Sequence, residues 1–314
     1  MDSYIPDLIW FNGSLVPWED AKVHVWSELA ISGASVFEGI RAFWNPEEQR
    51  YYVLDLESHI RRLNESARLL KFPITTNFQI TLQAISSLLT TLDLREHAYI
   101  RPTLYIDHGR YGSRPEETLS GMHIAAFPSP HSDALYRGIR CAVSSWRRSS
   151  ELNLSPRIKA GGSYMAFRLP FIEARERGFD DVILLNNRDT VSESSGAAVF
   201  VVKGSVVATP PLCAGILESI TRRRIISLLR DEFFMEVQER EIVRTELYTA
   251  DEVFLCGTLC EVQPVVGIDG YLPGDGMPGP LTTRCRDYYI EICESGASAP
   301  SGWLTPIEKT GVRQ

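Results

Sequence analysis

Only five of the 32 basic side chains are lysines, against 27 arginines, so each amine can be located and weighed in turn. Lys22, Lys71, Lys203 and Lys309 fall at predicted hairpin ends, helix ends or the tail, where a solvated ammonium is the ordinary state. Lys159 differs. It follows Ser155-Pro-Arg-Ile and precedes Ala160-Gly-Gly-Ser-Tyr, just ahead of a glycine pair and the next helix. Glycines there let a bulky planar ligand come close to the backbone. A desolvated amine with a lowered pKa can form a Schiff base with a carbonyl. Context alone leaves this chemistry and an ordinary surface lysine both open.

Two other stretches suit a phosphate. Leu217-Glu-Ser-Ile-Thr221 leads into an Arg-rich amphipathic helix, and a helix start presents free N–H groups and a positive dipole end to an anion. Thr221 adds a hydroxyl donor. Gly257-Thr258 follows the predicted strand 251–256, so a strand-end turn could supply amides and a second hydroxyl. Arg62 could meet the same phosphate or simply sit on a helix surface. Glu193, in a turn of small residues entering a buried strand, could hold a protonated ring nitrogen or cap the turn. Along 98–106 the residues alternate, with Tyr99, Arg101, Thr103 and Tyr105 on one face. That face meets solvent, or it walls a cavity in which Arg101 recognises a carboxylate.

The elements that must position these groups are legible from pattern. Asn12-Gly13 between two apolar runs predicts a hairpin, and strands are expected at about 37–44 and 50–54. Asp55 is the expected N-cap of a helix with apolar positions Leu56, Ile60, Leu63, Ala67 and Leu70. A second helix carries Phe78, Leu82, Ile85, Leu89 and Leu92. Pro102 suggests that the strand 98–106 lies at an edge or carries a bulge. A turn-rich connector at 128–133 marks the domain boundary. Beyond it, strands are expected at about 139–145, 182–186, 198–203, 206–209, 251–256 and 262–268. Helices are expected at 163–177, 218–235 and 280–294, the first kinked or broken at Pro170. The last twenty residues read as loosely ordered, apart from Trp303 and Leu304.

With 314 residues the chain is long enough for about two domains. A hydrophobic share of 44% separates it from disordered chains. The net charge of -8 argues against a nucleic-acid surface, and three consecutive helical arginines at 222–224 are expected to spread round their helix. No basic and apolar leader or spanning apolar run is present in the sequence, which predicts a soluble, cytoplasmic protein with no membrane partner. The six cysteines form no Cys-x-x-Cys pair, so reduced core thiols are expected and no metal.

These residues, in this order, resemble the class IV pyridoxal-phosphate aminotransferases, specifically the branched-chain amino acid aminotransferases. The likeness runs through Ile9-Trp-Phe-Asn-Gly, Trp18-Glu-Asp-Ala-Lys-Val-His-Val, Ser35-Val-Phe-Glu-Gly-Ile-Arg, His59-Ile-Arg-Arg-Leu and Ala98-Tyr-Ile-Arg-Pro. It resumes at Val143-Ser-Ser-Trp, Lys159-Ala-Gly-Gly-Ser-Tyr, Ile220-Thr-Arg, Ala250-Asp-Glu-Val-Phe and Gly257-Thr. The resemblance implies a mixed α/β, two-domain enzyme of fold type IV, like D-amino acid aminotransferase. The smaller N-terminal domain would be 1–128, the linker 129–137 and the larger domain 138–314, with pyridoxal 5'-phosphate in the interdomain cleft. It further implies a homodimer acting on an amino acid and a 2-oxo acid. Lys159 would be the Schiff-base lysine, Glu193 the partner of the pyridine nitrogen and Tyr164 that of the phenolic oxygen. Arg62, Ile220, Thr221, Gly257 and Thr258 would hold the phosphate. Phe37, Tyr99, Arg101 and Leu259 would line the substrate cavity, such an arginine being able to bind the distal carboxylate of glutamate.

The chain departs from the family's usual pattern at several points. Ser32 and Ser129 stand for aromatics, Ala197 and Ala198 for an acid and an asparagine, Glu218-Ser219 for Pro-Gly, and Leu259-Cys260 for two small residues. The cofactor set is kept and the substrate pocket is altered, and two serines for aromatics would widen or polarise it. The expected activity is therefore transamination of an L-amino acid, branched-chain-like, with glutamate as partner. D-amino acid and R-amine transaminases, a lyase of the same fold, and a non-catalytic binding relative are the alternatives.

Overall fold

Asn12 (φ +47°) and Gly13 (φ +106°) turn the chain between strands β1 (Leu8–Phe11) and β2 (Ser14–Pro17). Positive φ at both central residues matches the right-handed twist of the strands, which is why Asn-Gly is favoured there. The computed structural model describes residues 4–109 and 114–307. Its first unit comprises Met1–Pro130, Ile158–Gly162 and Ile292–Gln314, and its second His131–Arg157 and Ser163–Glu291. This differs from the expected single domain over 138–314. The Lys159 segment and the chain's end pack with the first unit, because both pair with its strands.

In that unit a short helix α1 (Glu28–Ser32) precedes β3 (Ser35–Phe37), β4 (Ile40–Asn45) and β5 (Arg50–Leu54). Helices α2 (Leu56–Leu69) and α3 (Phe78–Leu92) follow, then β6 (Ala98–His108) and β7 (Leu119–Pro128). The sheet order is β5, β4, β6, β7, β1, β2, with β3 also on β6 and the strand Leu304–Pro306 on the outer edge of β5. Residues 295–307 are thus better packed than expected, with Trp303 and Ile307 buried; the rest of the tail lies outside the described residues. Asp55 does occupy the N-cap of α2, but at φ +49° its side chain makes no capping hydrogen bond.

Pro102 is not at an edge. It sits midway along β6, which is paired on both sides. Phe37 faces Thr103 and Ile40 faces Ile100, and between them the N–H of Glu38 donates to the Pro102 carbonyl at 2.9 Å. A proline cannot return that bond, and the partner strand is broken there into β3 and β4. Gly39 fills the break, since a Cβ on it would lie 2.9 Å from the Tyr99 ring.

The second unit contains α4 (Ala134–Arg137), β8 (Ile139–Arg147), α5 (Met165–Glu176), β9 (Asp181–Leu185), β10 (Val191–Ser194), β11 (Ala198–Lys203) and β12 (Val206–Thr209). It continues with α6 (Ile220–Asp231), β13 (Glu236–Glu239), α7 (Arg244–Thr249), β14 (Glu252–Gly257), β15 (Glu261–Ile268) and α8 (Pro280–Glu294). Its sheet runs β10, β9, β8, β15, β14, β11, β12, β13. Both faces are covered, as near-continuous apolar runs such as Val199–Val202 require. One face packs Val143, Ile183, Val199 and Leu255; Ala142, Val182 and Leu184 meet Phe167 and Ala174 of α5 on the other. Helix α5 runs on through a buried Pro170, so of the kink or break expected there, the break is absent. Among the described residues no helix is long and apolar enough to cross a membrane.

The segment bearing Lys159 is fastened to β3. Val36 bridges Ala160, and the Phe37 N–H donates to the Lys159 carbonyl at 3.0 Å. A Cβ on Gly161 would fall 2.3 Å from the Ser35 hydroxyl, so a larger residue there must displace that hydroxyl. Gly161→Ala should therefore destabilise the protein by about 1–3 kcal/mol in urea unfolding, and adding Ser35→Ala should restore most of the loss. A double variant as unstable as the single one would contradict this contact.

Candidate active site

Helix α2 carries a polar stripe on its buried side. His59, Arg62 and Ser66 are only 3%, 8% and 1% exposed, on neighbouring turns of one face. They close on two targets in the same unit. Glu38, fully buried, receives Arg62 through Nε and Nη2, both at 2.7 Å, and the His59 Nδ1 at 2.7 Å. The Ser66 hydroxyl accepts the backbone N–H of Lys159 at 3.2 Å. Burial alone would raise the Glu38 carboxyl, but the charge and hydrogen bonds of Arg62, then His59, outweigh it and hold the group at about 2. Burial depresses the His59 imidazole, so it stays neutral and donates from Nδ1.

Across the sheet, Phe37 is a platform for two cations. The Arg101 guanidinium lies 3.7 Å from its ring centroid and the Lys159 Nζ 5.2 Å. Tyr99, nearly buried, lies two residues from Arg101 on the same strand face. The first unit therefore brings together Phe37, Arg62, Tyr99, Arg101 and Lys159 of the sequence-predicted set.

The second unit assembles the others. Glu193 is not in a turn but on β10, opposite Ala198; the small residues that follow make the hairpin into β11. Its Oε1 accepts Arg148 Nε at 2.6 Å and its Oε2 accepts the Leu217 N–H at 3.0 Å, with 6% of the residue exposed. Arg148 also lies 4.7 Å above the Phe167 ring, which itself packs edge-on to Tyr164. Leu217 belongs to the loop entering α6, so the carboxylate ties that loop to the sheet. At α6 itself, Ser219 is the N-cap and accepts the Arg222 N–H at 3.1 Å. The altered Glu218-Ser219 pair thus supplies a capping hydroxyl, and the N–H groups of Ile220 and Thr221 stand in the first turn, where no intrahelical acceptor exists. Arg222 does not reach solvent as three spread arginines would: it is buried and bonds Thr209, Pro210 and Glu239. Gly257 ends β14, where a Cβ would come 3.1 Å from the Gly196 carbonyl, and Thr258 and Leu259 follow in the turn to β15, Leu259 being exposed. The Ser32 hydroxyl lies 2.7 Å from the Glu28 carbonyl and 3.0 Å from its carboxylate, so it is engaged within its own helix.

Sequence reasoning missed Glu38, His59, Ser66 and Arg148 as supporting groups. The His59–Arg62–Ser66 spacing of three and four residues was a usable signal, being a polar stripe on a helix otherwise apolar on that side.

Each unit by itself carries groups of the kind a phosphorylated pyridine aldehyde calls for: the first a primary amine on Lys159, the second a fixed buried carboxylate on Glu193 and a capped helix start at Ile220. The family model for amino-transferase class IV matches residues 35–268, and the chain belongs to that family, whose members are transaminases working with pyridoxal 5'-phosphate. The mixed α/β architecture is that of these enzymes. Among similar proteins, a probable branched-chain-amino-acid aminotransferase of Aquifex aeolicus is 36% identical over 307 residues, 98% of this chain and 99% of that one. The branched-chain-amino-acid aminotransferase of Escherichia coli K12 is 37% identical, covering 96% and 98%. The pyridoxal-phosphate form of the Thermobaculum terrenum branched-chain amino acid aminotransferase superposes with a TM-score of 0.89 at 38% identity, covering 96% and 99%.

Replacing Glu38 by Gln strands the Arg62 charge in the interior, which should cost about 3–5 kcal/mol at neutral pH. The sign with pH follows from a depressed carboxyl: its stabilisation is complete above the unfolded value near 4.5 and fades as pH falls toward 2. Urea midpoints of parent and Glu38→Gln should therefore converge between pH 4.5 and 2; a gap that stays constant over that range would contradict the ion pair.

Proposed function

We propose that this aminotransferase moves an amino group between an L-amino acid of branched-chain type and a 2-oxo acid, with glutamate as partner. The observation that carries this reading is the Phe37 platform: the amine of Lys159 and the guanidinium of Arg101 share one ring. A reactive amine beside a group that binds carboxylate suits a substrate that is itself an amino acid with a second carboxylate. The names of the three similar proteins cited above support the branched-chain assignment.

When bound, the cofactor supplies a carbonyl for the amine and an electron sink for the carbanion. Lys159 would hold that carbonyl through Nζ and, as a free amine, would move a proton at the substrate Cα. Glu193 would hold a proton on the pyridine nitrogen, Arg148 and the Leu217 amide fixing both of its oxygens. Tyr164 orients the ring through its phenolic oxygen. Arg62, the first-turn amides of Ile220 and Thr221, the Thr221 and Thr258 hydroxyls and Gly257 bind the phosphate. Glu38 and His59 keep Arg62 aimed. Tyr99, Arg101, Phe37 and Leu259 bind substrate.

A homodimer and a cytoplasmic setting belong to the same reading. The exposed Val25, Trp26 and Ile31 around α1 support a self-association surface, and the six cysteines, all present as thiols, support a reducing compartment.

Lys159→Ala should abolish turnover, a loss of at least about a thousandfold, while sedimentation still reports a dimer. Borohydride reduction should leave the cofactor on the Lys159 peptide of the parent and on none of the variant. Offered L-glutamate, D-alanine and an R-amine, the parent should change its cofactor absorbance with L-glutamate; a response to D-alanine alone would reassign it to the D-amino acid branch.

A further inference from the structure

One buried side chain of the second unit is only partly used by the site. Arg148 is 6% exposed, donates from Nε to Glu193 at 2.6 Å and lays its guanidinium over the Phe167 ring. Its Nη1 is buried and has no hydrogen-bond partner among the described residues. The same side chain lines a cavity of about 170 Å³, together with Ser149, Ser150, Asn186 and residues 212–215. The acceptors on that wall are already taken. The Cys213 carbonyl accepts Arg188 Nη2 at 3.3 Å, the Ala214 carbonyl accepts Asn186 Nδ2 at 3.2 Å, and the Gly215 carbonyl accepts the Ser192 hydroxyl at 3.2 Å. The Asn186 side-chain oxygen receives the N–H groups of Arg188 and Thr190. Glu151 and Asn187, which also line the cavity, are exposed, and the Glu151 carboxylate lies 3.9 Å from Arg157.

A buried cationic donor among acceptors that other groups have taken calls for an acceptor from outside the chain, because an unmade buried hydrogen bond is costly. A negative one is favoured, since hydrogen bonds from a guanidinium to an ionised group are the strong kind. We propose that this cavity binds a small monovalent anion, held by Arg148 with the Ser149 and Ser150 hydroxyls, and that the anion acts on the reaction through the guanidinium it shares with Glu193. The volume suits a halide or a short carboxylate. The proposal rests on the transaminase reading above and adds to it a regulation of the carboxylate that faces the cofactor. Glu193 has the positive charge of Arg148 against one oxygen, and an anion on the guanidinium offsets part of that charge. Added negative charge favours the protonated form of a neighbouring base, so the ring nitrogen keeps its proton to higher pH when the cavity is filled.

The test uses the holoenzyme with bromide as the probe, sodium gluconate holding the ionic strength constant. Crystals soaked in bromide should show an anomalous peak beside Arg148 Nη1. In solution, the midpoint of the pH titration of cofactor absorbance should rise saturably with bromide by at least about 0.3 unit, a twofold change in proton affinity. Ser149→Asp places a tethered carboxylate in the cavity, and Arg148→Lys keeps a cation for Glu193 while removing Nη1. Both variants should lose the peak and the bromide response, and Ser149→Asp should show the raised midpoint without bromide. No peak, or a peak with an unchanged midpoint and therefore an adventitious ion only, overturns the proposal while leaving the transaminase intact. A response that persists in both variants places the anion elsewhere and overturns it equally. A parent that takes up no cofactor overturns the functional reading and the coupling, while the bromide peak still decides whether the cavity binds the anion.

Discussion

The buried ion pair between Glu38 and Arg62 is the constraint on which the first unit's chemistry depends. A guanidinium under a sheet is costly to desolvate, and it is tolerated because a carboxylate with no solvent exposure meets it in two parallel hydrogen bonds. Glu38 can be there only because the β6 ladder is interrupted opposite Pro102. The missing N–H leaves the backbone of residues 38 and 39 out of regular pairing, and that gap turns the carboxylate toward α2. One proline without a donor thus sets the position of the cation expected to meet the phosphate. The adjoining Phe37 carries the Lys159 backbone on its amide and the Lys159 amine against its ring.

The second unit applies the same rule to a different pair. Glu193 is fixed on one oxygen by Arg148 and on the other by a main-chain amide of the loop before α6. The carboxylate that would face the ring nitrogen and the helix start that would face the phosphate are therefore linked by one hydrogen bond. A shift in either is transmitted to the other, which ties two ends of a planar ligand to one piece of scaffold.

Much of this is legible from sequence. The Asn12-Gly13 hairpin, the two amphipathic helices, the alternation along β6 and the ordered motif blocks all reflect local rules, and each matches the structure. Lys159 and Arg101 stand out in the sequence, Phe37 follows only from the family resemblance, and the structure gathers the three about one ring. What is not legible depends on tertiary pairing. Pro102 reads as an edge or a bulge, since propensity does not reveal that the neighbouring strand is the one that breaks opposite it. Glu193 reads as a turn residue, since its serines and glycine resemble a loop until both flanking strands are present. Arg222 reads as one of three arginines spread round a helix, because a buried arginine is identified only by its partners, here Thr209, 13 positions away. Asp55 occupies the capping position with a backbone conformation that defeats the cap.

The first unit is discontinuous in the chain: to its first 130 residues it adds five from the middle and the last stretch after residue 291. Synthesis proceeds from the N-terminus, so this unit cannot close while it is being made. A nascent chain of 130 residues has its helices and most of its sheet but lacks the strand that covers the outer edge of β5 and the segment that docks on β3. Until Leu304–Pro306 is made and pairs with it, β5 presents an open edge of the kind that invites pairing with other chains. The site's lysine can therefore dock on β3 and Ser66 once residue 160 has been made, well before Leu304–Pro306 covers β5, so the lysine is fastened on a sheet whose outer edge is still open.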